Sequence, residues 1–174
     1  LIAVLALLAP TLTPASADEK QVATEQTAES LNPTTKQRFT TRLASRFLTS
    51  YHYQGEELND ALSERIFKQD LERLDPNRMY FLASDIDQLD RYRHRLDDAL
   101  RAAEIEPAFE IFSIYRKRVD QRIEFARERL EGEFDFTADE EYQFDRSERA
   151  WAASSSELDE IWRKRVKNDW LGLK

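Results

Sequence analysis

Apolar residues recur at helical spacing along most of the chain. Phe39, Leu43 and Phe47 stand four apart, with Ala44 and Leu48 beside them, and predict a helix opened by Asn32-Pro33. Asparagine can accept the open amides of a first turn, and proline suits the first helical position because its ring presets φ and its missing donor is not needed there. Tyr51-His52-Tyr53-Gln54-Gly55 reads as the exit. A second helix is predicted over 56–74, where Leu58, Leu62, Ile66 and Leu74 share a face widened by Phe67 and Leu71. Asp75-Pro76-Asn77 stops it, since proline disfavours helical geometry in the residue before it. The group Met79-Tyr80-Phe81-Leu82 fits either a short strand or a turn inserted into the core.

Ser84 as cap, with Asp87 at N3, signals the next helix, and Ile86, Leu89, Tyr92, Leu96 and Leu100 continue it at spacings of three or four. A long helix is predicted from Pro107 to Leu130, about 36 Å at the usual rise, with Phe109, Phe112, Tyr115, Val119, Ile123, Ala126 and Leu130 as its apolar seam and Gly132 as a left-handed terminator. Packing against neighbouring helices accounts for this aromatic seam more simply than a self-associating coiled coil. Thr137-Ala138-Asp139-Glu140 has the spacing of a capping box and predicts a short helix around Tyr142 and Phe144. Trp151 and the serines 154–156 lead into a final helix in which Leu158, Trp162, Val166 and Trp170 lie four apart. Agreement among these signals predicts an all-α fold, an irregular multi-helix bundle over residues 32–174.

The N-terminus follows a different pattern. Leu1 to Ala9 are uninterruptedly apolar, Pro10 ends the run, and Ala15-Ser16-Ala17 supplies small residues for cleavage, so residues 1–17 read as a truncated signal peptide and Asp18 as the start of an exported chain. A membrane span needs roughly 17–25 apolar residues, so no integral membrane segment is expected. A buried N-terminal core strand is the plainer alternative, but it leaves the cleavage pattern unexplained. Residues 18–31 lack an apolar stripe and read as a mobile lead-in.

Composition removes several functions. Cysteine is absent, excluding disulfides and thiolate catalysis, and a formal charge of −8 disfavours a general nucleic-acid binder. Arg116-Lys117-Arg118 with Arg122, Arg127 and Arg129 is the nearest thing to a basic face, but Glu110, Asp120, Glu124 and Glu128 are interleaved with it; it reads as solvated helix surface, with a polyanion or partner patch as the alternative. His52 and His94 belong to no metal pattern, and zinc needs three or four converging ligands. Neither a nucleophile elbow, a phosphate cradle nor a calcium loop occurs. Acid pairs such as Asp139 with Glu140 and Asp159 with Glu160 are adjacent rather than opposed, as a glycosidase would require. Consequently no catalytic residue, metal site or cofactor is expected, and Trp151, Trp162, Val166 and Trp170 stand out as structural or docking residues.

Three blocks carry a family resemblance: LDPNRMYFLASDIDQLD at 74–90, FDFTADEEYQFDRSERAW at 134–151 and ELDEIWRKRVKNDWLGLK at 157–174. In this order they resemble the N-terminal helical region of bacterial periplasmic tail-specific, or carboxy-terminal processing, proteases, and the likeness runs from about Phe39 to Lys174. The resemblance implies a secreted endopeptidase that recognises exposed nonpolar C-termini through a PDZ domain and cuts with a serine nucleophile and a lysine base. It also implies protein substrates and, in some members, a tetratricopeptide-repeat lipoprotein adaptor. The PDZ and protease domains would lie downstream of Lys174, so no residue here inherits the catalytic role. The competing reading is an independent periplasmic adaptor or peptidoglycan-associated binding module.

Overall fold

The computed structural model describes residues 32–51 and 58–173, with side chains of the first helix described through Phe47. The predicted signal peptide, the lead-in and the exit at 52–55 lie outside the described residues. Six α-helices follow in order: α1 (Thr35–Tyr51), α2 (Asp60–Leu74), α3 (Ala83–Leu89), α4 (Leu96–Ala102), α5 (Glu106–Leu130) and α6 (Ser155–Gly172), with a 3-10 turn at Asp90–Tyr92. Among the described residues the only sheet-like pairing is an isolated parallel bridge between Leu82 and Ala152. The fold is all-α.

Helix starts fall slightly later than the sequence signals suggest, for local reasons. Thr34 and Gln37 exchange bonds at the start of α1: the Thr34 hydroxyl accepts the Gln37 amide at 3.3 Å and Gln37 Oε1 accepts the Thr34 amide at 2.8 Å. That reciprocal cap overrides Asn32-Pro33 as the start. Asn59 caps α2 by accepting the Leu62 amide at 3.0 Å, so the helix begins at Asp60 rather than near 56. In α3 the reciprocal residue is Asp85, whose Oδ2 accepts the Leu82 amide at 2.9 Å; Ser84 lies inside the helix, not at its cap.

The single helix expected through Leu100 is instead broken after Leu89. The Leu96 amide is taken by the Ser63 hydroxyl of α2 at 2.8 Å, which starts α4 from outside its own chain segment. At the far end Ala103 adopts φ 57° and the Glu104 amide reaches back to the Ala99 carbonyl at 2.8 Å, a left-handed termination made with alanine. Gly132, predicted for that role after α5, does not take positive φ; α5 ends through Glu131 in right-handed geometry.

Two buried clusters make the core. One holds Phe67 and Leu71 of α2, Phe81, Leu89 and Ile111, with Tyr115 and Trp151 against it. The other holds Met79, Leu82, Ala152, Leu158, Trp162 and Val166, with Phe125 and Ala126 against it. The Met79–Leu82 group is an extended insert that contributes to both.

The seam of α5 is rotated from the predicted one. Pro107, Ile111 and Arg122 are buried, whereas Phe112, Ile123 and Leu130 are exposed. Two arginines explain the rotation. Arg118 sits on the inner side and grips Asp85 of α3 with two bonds of 2.8 Å, and Arg122 pairs with Asp159 of α6 while its guanidinium lies 5.1 Å from the Phe125 ring. Long arginine stems cover apolar surface while the planar heads find carboxylates, so a face with charged residues in it can still face inward. These two belong to neither a solvated surface nor a polyanion patch.

Candidate docking surface around the last helix

The placement of α6 begins at Asp75. Its backbone ends α2, its amide donating to the Leu71 carbonyl at 2.9 Å, and its buried carboxylate accepts the amides of Met79, Tyr80 and Phe81 at 2.7, 2.8 and 3.0 Å. Burial pushes this carboxyl above its usual range, opposed by the three amides and by Arg146. One side chain thus satisfies the backbone donors of a segment that has no sheet to bond to. Arg78, at φ 51°, completes the tight turn after Pro76-Asn77.

Held this way, the segment offers α6 two anchors. The Trp162 indole N–H donates to the Met79 carbonyl at 2.6 Å, and its ring meets Tyr80 edge-on at 5.5 Å. The Ala83 amide donates to the Ala152 carbonyl at 2.9 Å beside the Leu82–Ala152 bridge, fixing the approach to α6. Ser154 then caps the helix by accepting the Glu157 amide at 3.2 Å.

The four residues expected to pack or dock divide along this frame. Trp162 and Val166 are buried in the core. Trp151 is half-buried, edge-on to Phe81 at 5.9 Å with the Arg78 guanidinium 5.3 Å from its ring. Trp170 is 38% exposed and touches Phe134 at a ring separation of 6.4 Å. The stripe therefore runs from interior to surface along α6.

Between α5 and α6 the chain forms no helix, contrary to the expectation around Tyr142 and Phe144. Neither half of the predicted capping box forms. The Thr137 amide and hydroxyl both donate to Asp135, at 2.8 and 2.6 Å, and the Glu140 carboxylate is taken by Arg163 and Lys167 of α6, the lysine at 2.7 Å. Two cations hold the Glu140 carboxyl down to about 2. The Arg163 guanidinium is pushed up by Glu160 first and Glu140 second.

This clamp lays an irregular strap along α6 and leaves a groove of about 460 Å³ between them. Phe136, Phe144 and Leu171 give it apolar walls, and Lys164, Lys167 and Glu141 line its polar edges. Mixed walls of this kind suit a peptide or protein surface. Three of the paired acids noted in the sequence are committed to ion pairs: Glu140 and Glu160 bind Arg163, and Asp159 binds Arg122. Among the described residues no three metal-ligating side chains are placed to hold an ion, His94 is exposed, and no helix is long and apolar enough to cross a membrane.

Sequence reasoning missed Asp75 as an organiser and Glu140 as a clamp. An aspartate at a helix end before Pro-Asn and an apolar tetrad was the available signal for the first. Nothing local signalled the second, because its partners lie 23 and 27 residues away.

Residues 44–174 match the family described as the tail specific protease N-terminal domain. A protein of Haemophilus influenzae named tail-specific protease is 34% identical over 162 residues, a stretch that covers 92% of this chain and 21% of that relative. The chain thus spans about a fifth of the length of the curated relative it matches. With the family matched over most of the chain and a relative above the usual threshold of shared descent, the helical bundle organised by Asp75 and Trp162 belongs to the N-terminal domains of tail-specific proteases.

Proposed function

We propose that this domain is the accessory, substrate-enclosing scaffold of a periplasmic serine endopeptidase that recognises and cleaves proteins with exposed nonpolar C-termini, and that it supplies no catalytic group itself. The observation that carries this reading is the family match over 44–174, joined to a relative more than four times as long as this chain. Export through residues 1–17, a downstream PDZ domain and a downstream serine-lysine pair belong to the same proposal. Trp170, with Phe134 and the apolar wall of the groove, is the part of α6 that docks onto the protease body, while Trp162 and Val166 hold the helix in place. A tetratricopeptide-repeat lipoprotein adaptor is a further proposed partner.

The test compares the full-length protein with this chain alone on an unfolded substrate bearing an apolar C-terminus. Full-length protein should cut it from preparations whose mature N-terminus is Asp18, and the chain alone should leave it intact. Cleavage by the chain that disappears when one of its own serines is replaced would overturn the scaffold reading. A gene that closes directly after Lys174 would overturn the protease reading in favour of a free-standing binding module.

A further inference from the structure

The strap forms a second cavity with α6, different in chemistry from the groove. It encloses about 580 Å³ between strap residues 141–149 and the middle of the helix, with Arg146, Arg149 and Lys164 as its cations and Tyr142 and Ile161 as its apolar walls. The two arginines stand apart from others that meet the core. Arg118, Arg122 and Arg163 are each paired with a carboxylate, whereas Arg146 and Arg149 form no ion pair among the described residues. Arg149 gives its Nε–H to the neutral Gln143 side chain at 2.8 Å, and its carbonyl accepts from the Arg78 guanidinium, so the residue is held while its terminal nitrogens have no carboxylate. Arg146 has its Nε buried without an acceptor. Its charge acts on the Asp75 carboxyl, whose two oxygens already accept three backbone amides.

The acids around the cavity do not cancel these cations. Glu160 lines it too, but both its oxygens are held at 2.8 and 2.7 Å by Arg163, which is not part of the lining, and Lys164 reaches Glu160 only at 3.9 Å. That leaves Glu141, whose carboxylate takes no hydrogen bond or ion pair among the described residues. Three cations against one unspent carboxylate make a locally cationic cavity in a chain of net charge −8. A guanidinium presents its donors as a planar fork that matches a carboxylate or a phosphate. Phosphate would use the forks and leave Tyr142 and Ile161 without a partner; a carboxylate carried on a short apolar peptide uses both, and the volume falls within the range of pockets that enclose a ligand of that size.

We infer that the cavity between the strap and the middle of α6 binds a carboxylate carried on a short apolar peptide, with Arg146 and Arg149 as its donors. Lys164 adds charge at the shared edge with the groove, Tyr142 and Ile161 meet the apolar side chains of the peptide, and Glu141 opposes the bound anion. The carboxylate is either the peptide's own C-terminus or an acidic side chain within it, since the forks serve both. The site lies wholly within residues 141–164 and needs no downstream domain, so it stands apart from the scaffold reading.

Calorimetric titration of the 174-residue chain with three peptides of the same apolar residues tests this. One has a free C-terminus and a central glutamine, one is amidated with a central glutamate, and one is amidated with a central glutamine and so has no carboxylate. At least one of the carboxylate peptides should bind about tenfold more tightly than the peptide without one, as charge-assisted hydrogen bonds require, and the tighter of the two names the source. Arg149→Met keeps the stem and removes the fork, and should abolish that preference. Glu141→Gln should strengthen binding roughly twofold to fivefold, the worth of one exposed charge, a gain that misfolding does not produce. Equal binding of all three peptides, binding of none, inorganic phosphate binding as tightly as the carboxylate peptides, or unchanged affinity in either variant would overturn the inference. Where circular dichroism shows that Arg149→Met has lost helix, Glu141→Gln decides.

Discussion

Helices α1 and α6 carry apolar stripes of the same spacing, yet they use them in opposite ways. Leu158, Trp162 and Val166 of α6 are buried, and Phe39, Leu43 and Phe47 of α1 are not. Each helix begins with a hydroxyl side chain that accepts an N3 amide, from Thr34 and Ser154, so local geometry does not separate them. What separates them is the Met79–Leu82 insert. It gives α6 a carbonyl for the Trp162 indole and a bridge at Ala152. Periodicity shows that a helix has an apolar face; tertiary partners decide how much of that face is buried.

The largest break in this comparison comes at Trp162. Replacing it with alanine removes a buried indole together with its bond to Met79, and should cost about 3–5 kcal/mol, measured by chemical denaturation. A loss as small as that of an exposed residue would mean that α6 is held by its ends rather than by its stripe. Asp75→Ala comes next. Three buried amides lose their acceptor, at a cost of about 2–4 kcal/mol, and the Trp162 fluorescence should move toward that of exposed indole because its carbonyl partner is no longer fixed.

Glu140→Gln tests the strap with a pH signature. The folded carboxyl titrates near 2 against an ordinary 4.5, so its contribution is present above pH 4.5 and is lost as pH falls from there toward 2. The stability difference between the parent and Glu140→Gln should therefore be greatest above pH 4.5 and close by pH 2; a difference independent of pH would remove the clamp from the account. Leu43→Ser in α1 is the smallest. It should change the stability of this chain by less than about 0.5 kcal/mol, and a change comparable with that of Trp162→Ala would show that α1 is already packed.

Much of this was legible before the structure. The all-α class, the extent of α5 and the final helix all follow from spacing, because one helix face collects residues three and four apart regardless of what lies opposite. The family resemblance, carried by the blocks at 74–90, 134–151 and 157–174, was legible too, and the match over 44–174 bears it out. The breaks were not. Ser63 opens α4 from 33 residues away, and Arg118 turns the inner face of α5 toward Asp85 across another 33. Both depend on tertiary partners that a window along the chain does not contain. The false capping box at Thr137–Glu140 failed for the same reason: Asp135 and the α6 cations compete for its groups and win by charge. Of the residues expected to dock, the sequence placed all four on the right elements but did not show that Trp162 lies inside and Trp170 at the surface.

The Asp75 insert has a further consequence in the order of synthesis. Met79 and Leu82 emerge from the ribosome about eighty residues ahead of Trp162 and seventy ahead of Ala152, their partners in the second cluster. At roughly 5–20 residues per second, that interval lasts several seconds. During it Phe81 can already pack against Phe67 and Leu71, while Met79, held by the Asp75 carboxylate, and Leu82, held by that of Asp85, present an unfinished apolar surface. The second cluster cannot close until α6 is in place, because Leu158, Trp162 and Val166 make up half of it.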